Sequence, residues 1–208
     1  MATSLAMARM AVESGTRHMV ATPHAIEGLF PTTRDQVLRA VDELRQALQE
    51  EGIPLEVFPG QEIAFSPDVP ERLARHELLT MGDWGRAVLM EMPSAGFPHR
   101  WQDVLFELRT MDLLPVIAHA ERTVLVSDKH LLEQVRQVGA RLQVTARPIH
   151  NGRTRHVVGE WVRAGDVVCI GSDGHGVGER KPVLVEVEGL YGGVGGEWKS
   201  AGGTTGPV

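Results

Sequence analysis

Four times along this chain a helical pattern stops at a glycine and a short apolar run soon follows. The stops are Gly15, Gly52, Gly139 and Gly165. A glycine just past a helix end takes the left-handed cap conformation with no Cβ to clash, so each stop reads as a helix giving way to a strand. Helices alternating with strands narrow the fold sharply. They imply parallel pairing through βα units, in an open α/β sheet or a (β/α) barrel.

The helices follow from apolar spacing. The clearest covers 33–51, where Val37, Val41, Leu44 and Leu48 share one face, and Thr33 with Gln36 has the spacing of a capping box. Further helices are expected over about 3–14, 99–111, 128–138 and 155–164, with Ser127 or Asp128 capping the helix that starts near 128. Between them lie runs of strand length: His18–Thr22, Leu55–Phe58, Ala87–Met92, Pro115–Ala118, Arg141–Thr145 and Val167–Gly171.

Composition excludes several partners and settings. With 208 residues and 42% hydrophobic content the chain has enough apolar surface for one domain with a core. Lys and Arg total 21 against 27 Asp and Glu, and no long basic run occurs, so neither nucleic acid nor an anionic membrane is the expected partner. No apolar run approaches the roughly 20 residues of a membrane span. Arg9 and Glu13 interrupt the N-terminal segment, so no signal peptide is read there. The lone cysteine, Cys169, cannot form an intrachain disulfide, which points to a cytoplasmic location. Of the 23 glycines, 12 fall from Gly171 onward. The domain is therefore expected over 1–190, and a glycine-rich flexible tail over 191–208.

Metal-competent side chains recur where the strands end. The first run leads to His24, the next to Glu62, and LMEMP places Glu91 near a strand tip. VIAHAER supplies His119 and Arg122, and IGSDGH supplies Asp173 and His175. The C-terminal strand ends are where α/β barrels and open sheets carry their sites. His24, Glu62, His119, Asp173 and His175 are the candidate ligands. Histidine with carboxylate and no cysteine suits Mn²⁺, Fe²⁺ or Zn²⁺. Arg122 and Arg180 lie close to them in sequence, and guanidinium matches phosphate oxygens.

The remaining chemistry-bearing residues read otherwise. A cysteine phosphatase needs Arg six positions after its nucleophile, and His175 stands there after Cys169, which reads as a core thiol. Ser172 lacks a G-x-S-x-G setting, and no phosphate-binding glycine loop opens a helix. His18, His76, His99 and His130 read as structural or surface residues. His150 and His156 flank a glycine-containing loop where either would line a site mouth.

The strings MARMAVESGTRHMVATPH, EEGIPLEVFPGQEI, LMEMP, LPVIAHAER, GARLQVTA and GSDGH, followed by ERKP, occur in one order. Together they resemble the bacterial PHP-superfamily protein-tyrosine phosphatases of capsular and exopolysaccharide loci, the manganese-dependent CpsB/CapC/YwqE type. The resemblance runs from about Ser4 to about Leu190. It implies a PHP-type distorted (β/α)7 TIM-like barrel and a divalent metal cluster. It also implies hydrolysis of phosphotyrosine on a bacterial tyrosine kinase. By motif, His24, Glu62, His119, Asp173 and His175 fall on metal ligands, and Arg122 and Arg180 on residues that bind the phosphoryl group. The nucleophile it implies is a metal-bound hydroxide rather than a side chain.

Two departures accompany the match. The family begins with a strand ending in H-x-H and a loop with a further Asp. This chain starts at the next helix, so an N-terminally truncated domain lacking the first strand and those ligands is expected. Ala120 stands where the family often has Pro. A catalytically impaired binding protein of the same fold, or a related phosphomonoesterase such as a histidinol phosphatase, are the alternatives.

Overall fold

Each left-handed glycine cap is followed by a strand, as the alternation requires. The computed structural model describes residues 1–146 and 149–184, with the backbone of two short strands, Trp198–Lys199 and Thr205–Gly206. Gly15, Gly52, Gly139 and Gly165 have φ of 95, 64, 77 and 76°. The elements run α1 (Ala2–Glu13), β1 (His18–Ala21), β2 (His24–Ile26), β3 (Phe30–Pro31), α2 (Arg34–Glu50), β4 (Glu56–Pro59), β5 (Glu62–Ala64) and α3 (Val69–Ala74). Then come β6 (Ala87–Glu91), α4 (Trp101–Thr110), β7 (Leu114–Ile117), α5 (Lys129–Gln137), β8 (Arg141–Thr145), α6 (Gly152–Ala164) and β9 (Val167–Gly171).

Capping sets the helix starts. Thr33 and Gln36 form the reciprocal capping box of α2. Asp128, rather than Ser127, accepts from Leu131 N and starts α5. The last helix begins at Gly152, earlier than its apolar spacing suggests, because the Asn151 side chain accepts from Arg153 N and Thr154 N.

The main sheet has the order β3-β2-β5-β6-β7-β8-β9. Pairing is parallel from β2 through β9, and β3 folds back antiparallel on β2. The α/β class and parallel pairing are as expected. In the order of paired strands among the described residues, β3 and β9 stand at the two ends.

The expected strands ending at Thr22 and Phe58 do not stop there. β1 pairs with β4 from His18↔Glu56 to Ala21↔Pro59, and β2 pairs with β5 at His24↔Glu62 and Ala25↔Ile63. The sequence separation is 38 residues on both sides of the break, so one long pair is interrupted at one level. Pro23 offers no N–H to a ladder there. Gly60 allows close approach, since a Cβ on it would lie 2.9 Å from Val20 Cγ1. Gln61 is fully buried in the break. Its Nε2 donates to Thr32 O and its Oε1 accepts from Leu79 N, both at 2.8 Å. The Gln61 side chain thus satisfies backbone groups of two neighbouring segments, while Glu62 N donates to Pro23 O at 3.1 Å where the pairing resumes.

Alternation along each strand divides the core. On one face Val88, Met90, Ile117, Leu142 and Val144 pack against Leu105, Leu108, Val135 and Trp161 of the helices. Burying one such side chain stabilises by roughly 1.5–3 kcal/mol. On the other face Ala87, Leu89, Val116 and Ala118 form a smaller cluster against which half-buried Cys169 packs. Desolvation pushes the Cys169 thiol up to about 12, consistent with a core thiol. The helices α1 and α2 cover β4 through Ala8, Val37, Val41, Leu48 and Val57.

No helix among the described residues is long and apolar enough to cross a membrane. The expected tail over 191–208 lies outside the described residues, apart from the backbone of the two short strands.

Candidate metal centre

Parallel register brings the first two candidate ligands together. His24 opens β2 and Glu62 opens β5, and they are ladder partners. Glu91 ends β6 on the same face as Leu89, pointing away from the helices. The ladder between β6 and β7 continues through Ala118 N to Met90 O. His119 then turns left-handed, at φ 32° and ψ 52°. A proline after it would disfavour helical backbone at this position, so Ala120 is compatible with the turn.

Four donors converge as a result. His24 Nδ1 lies 3.4 Å from Glu62 Oε1 and 3.7 Å from Glu91 Oε2. His119 Nε2 donates to Glu62 Oε1 at 3.1 Å and stands 3.7 Å from Glu91 Oε1. Glu62 and His119 are buried. Ligand atoms of His24, Glu62 and Glu91 all lie within 4.8 Å of one another. Burial pushes the His119 pKa down, but the hydrogen bond and charge of Glu62 outweigh it and hold the group above its ordinary value.

These residues fit a divalent cation. His24 Nδ1, the ring nitrogen that faces Glu62 and Glu91, is buried with no hydrogen-bond partner. Such an orphaned group costs about 1–3 kcal/mol. Two carboxylates within reach of two imidazoles, without sulfur, form the donor set of a hydrolytic Mn²⁺, Fe²⁺ or Zn²⁺ site.

Asp173, His175, Arg122 and Arg180 form an adjoining group. Asp173 sits beyond β9 in a left-handed conformation, φ 49°. Arg122 Nη2 donates to its Oδ2 and Arg180 Nη2 to its Oδ1, each at 2.5 Å. Burial would raise the Asp173 pKa, but the Arg122 and Arg180 hydrogen bonds and charges overcome it and hold the carboxyl below the usual range. The loop closes through His175 N to Arg180 O, 2.7 Å. The His175 ring stands 5.8 Å from the His24 ring, so it borders the four-donor cluster.

One cavity of about 410 Å³ joins the two groups. His24, Glu91, His119, Arg122, Asp173 and Arg180 form its polar side, and Phe65, Met92 and Pro93 form an apolar wall. His150 and His156 are not among the residues that line it, and His156 lies 3.5 Å from Glu160 on exposed α6 surface. Glu91, expected only near a strand tip, belongs to the donor set. The signal was there in LMEMP, because a carboxylate in register with buried Leu89 must face the same way.

The family described as capsular polysaccharide synthesis, CpsB/CapC, matches residues 1–191. The chain is similar to the tyrosine-protein phosphatase YwqE of Bacillus subtilis, 36% identical over 146 residues, which are 70% of this chain and 57% of YwqE. The chain thus spans little more than half the length of that relative. Similarity extends to the tyrosine-protein phosphatase CpsB of Streptococcus agalactiae, 22% identical over 88% of this chain and 79% of CpsB. A solved structure from work on YwqE of Bacillus subtilis and CpsB of Streptococcus pneumoniae, described as unique metal-dependent tyrosine phosphatases, superposes with a TM-score of 0.83. It is 32% identical, with 92% of this chain and 80% of that chain covered.

Proposed function

The chain belongs to the CpsB/CapC family of capsular polysaccharide synthesis, and from that membership we propose that it hydrolyses phosphotyrosine in a protein substrate. The substrate class is a bacterial tyrosine kinase of capsule or exopolysaccharide synthesis, acted on in the cytoplasm. The observation that carries the reading is one cavity with a four-donor cluster on one side and two converging arginines beside it.

His24, Glu62, Glu91 and His119 would hold a divalent cation, with Asp173 and His175 at its border. Mn²⁺ is the proposed ion. A bound divalent cation supplies Lewis acidity toward phosphoryl oxygens and acidifies water. The arginines do the rest of the electrostatic work. Arg122 and Arg180 present planar donors that match the equatorial phosphate oxygens, where charge is held as the P–O bond to the tyrosine breaks. Attack comes from water, in line with the leaving phenolate.

The apolar wall favours an aryl phosphate over histidinol phosphate. Phe65 and Pro93 offer a surface for a phenyl ring.

Phosphate release from a tyrosine-phosphorylated peptide and from histidinol phosphate tests the proposal, with Mn²⁺ and after chelation. Release from the peptide that stops on chelation is the expected result. Full activity after chelation overturns the metal-dependent reading. Preferred turnover of histidinol phosphate overturns the substrate class. Tight phosphopeptide binding without turnover identifies the catalytically impaired binding protein instead.

A further inference from the structure

The face of β8 turned away from the helices holds two polar side chains that bond the turn after β7. Gln143 and Thr145 are alternate residues of β8, so they share a face. Both reach the same short turn. Gln143 Oε1 accepts the backbone N–H of His119 at 2.8 Å. Thr145 Oγ1 donates to Glu121 Oε1 at 2.7 Å, and Thr145 N donates to the same oxygen at 3.3 Å. The Glu121 side chain is 6% exposed, and its Oε1 lies 3.8 Å from Arg122 Nε.

The turn held in this way carries the two functions of the site. His119 is its first residue and belongs to the four-donor cluster. Arg122 ends it and belongs to the phosphate side. His119 adopts φ 32°, a conformation that costs a non-glycine residue free energy and persists only when its surroundings enforce it. Gln143 bonds the very N–H of that residue.

Gln143 also reaches the next strand. A Cβ on Gly171 would come within 2.2 Å of Gln143 Nε2, so the amide lies against the Gly171 backbone. Gly171 ends β9, two residues before Asp173. One amide therefore spans the space between the turn after β7 and the loop after β9.

We propose that Gln143 and Thr145 are positioning residues: Gln143 fixes His119 for the cation, and Thr145, through Glu121, fixes Arg122 for the phosphoryl group. This rests on the metal-dependent phosphatase reading. The division of labour is its content. Loss of the Gln143 contact is felt by the cation, and loss of the Thr145 contact by the phosphate.

The test uses the full chain, with Mn²⁺ affinity read from the electron paramagnetic resonance signal of free Mn²⁺ and inorganic phosphate affinity read by calorimetry. Gln143→Leu is expected to weaken Mn²⁺ binding about tenfold or more, the usual effect of removing a partner that orients a ligand. Gln143→Glu keeps the acceptor for His119 N and is expected to recover most of that loss. Thr145→Val is expected to leave Mn²⁺ affinity alone and to weaken phosphate binding and raise KM about tenfold. Thr145→Ser, which keeps the hydroxyl, restores both. Melting by circular dichroism reports folding, and where Gln143→Leu does not fold, Gln143→Ala takes its place. If neither folds, the Thr145 pair and Gln143→Glu still decide, because Thr145→Val must separate the two affinities. Equal losses of Mn²⁺ and phosphate affinity in both variants, or no loss in either, overturn the proposal. Wild-type binding of both ions beside unaltered variants overturns this inference alone. A wild-type chain that binds neither ion overturns the functional reading together with it.

Discussion

Arg122 and Asp173 meet at 2.5 Å, Nη2 to Oδ2, although one follows β7 and the other follows β9. Arg180 takes the second oxygen of the same carboxylate at the same distance. A single buried anion thereby aims two guanidinium groups into one cavity, and their orientation precedes any substrate.

Removing one of these cations should be costly to the reaction and cheap to the fold. Arg122→Ala is expected to lower kcat/KM for a phosphotyrosine peptide by about 10²–10³, the scale of losing one preorganised donor at a developing charge. Arg122→Lys restores only part, since an ammonium is a point charge without the planar fork. Steady-state phosphate release measures both. Unchanged kcat/KM in Arg122→Ala would remove the arginine from the phosphoryl site.

The cation should show itself in stability as well as in turnover. Mn²⁺ at about 100 times its dissociation constant adds roughly 2.7 kcal/mol to the folded state. For a chain of this size that raises Tm by about 5–10 °C. Glu91→Gln keeps the volume but removes the negative charge and one good donor oxygen. Its Mn²⁺-dependent rise in Tm should shrink markedly, read by scanning calorimetry with and without chelator. An equal rise in the variant would place Glu91 outside the centre.

Substrate choice should depend on the apolar wall. Phe65→Ala is expected to lower kcat/KM for a phosphotyrosine peptide about 3–10-fold, the equivalent of about 0.5–1.5 kcal/mol from an aromatic pair. Turnover of a phosphoserine peptide, which has no ring, should not fall in parallel. Phe65→Leu, which retains apolar packing against the core, controls for stability. A proportional drop on both peptides would show that the wall does not read the ring.

Much of this arrangement was legible in the amino-acid order, for physical reasons that differ by element. Helices with a sealed start and a glycine stop, such as α2 between Thr33 and Gly52, announce themselves through local hydrogen bonds and backbone freedom. His24, Glu62 and His119 could be singled out because they follow apolar runs. The short strands β2, β3 and β5 could not, since two or three residues carry no periodicity, and tertiary pairing alone makes them strands. For that reason His24 and Glu62 looked like residues beyond a strand end, whereas they open new strand segments. The six-residue α3 was equally silent, with Pro70 in its first turn. Which arginine meets which carboxylate was beyond reach, because the Arg122–Asp173 contact joins distant segments.

The thiol gives a prediction about pH. Burial raises the Cys169 pKa to about 12, against about 8.5 for a free thiol in the unfolded chain. Above about 8.5 the unfolded chain loses this proton while the folded chain keeps it. The protonated core thiol therefore contributes stability that is complete below that pH and lost as pH rises toward about 12. Alkylation at pH 9 should be slow in the folded protein and fast in urea. Cys169→Ala should flatten the alkaline fall in stability. Rapid alkylation of the folded chain would place the thiol at the surface.

The shared break in the two long strands constrains how this chain can change length. His24 stays opposite Glu62 only while the 38-residue separation is the same above and below the break. Lengthening the connection between α2 and β4 leaves that pairing untouched, because both partners keep their places in the ladder. One residue inserted within His18–His24 alone slides His24 off Glu62 and turns a side chain that faced the cavity toward the opposite face. A change of length between Glu50 and Glu56 therefore keeps this register, whereas within the paired strands only matched events in both do so.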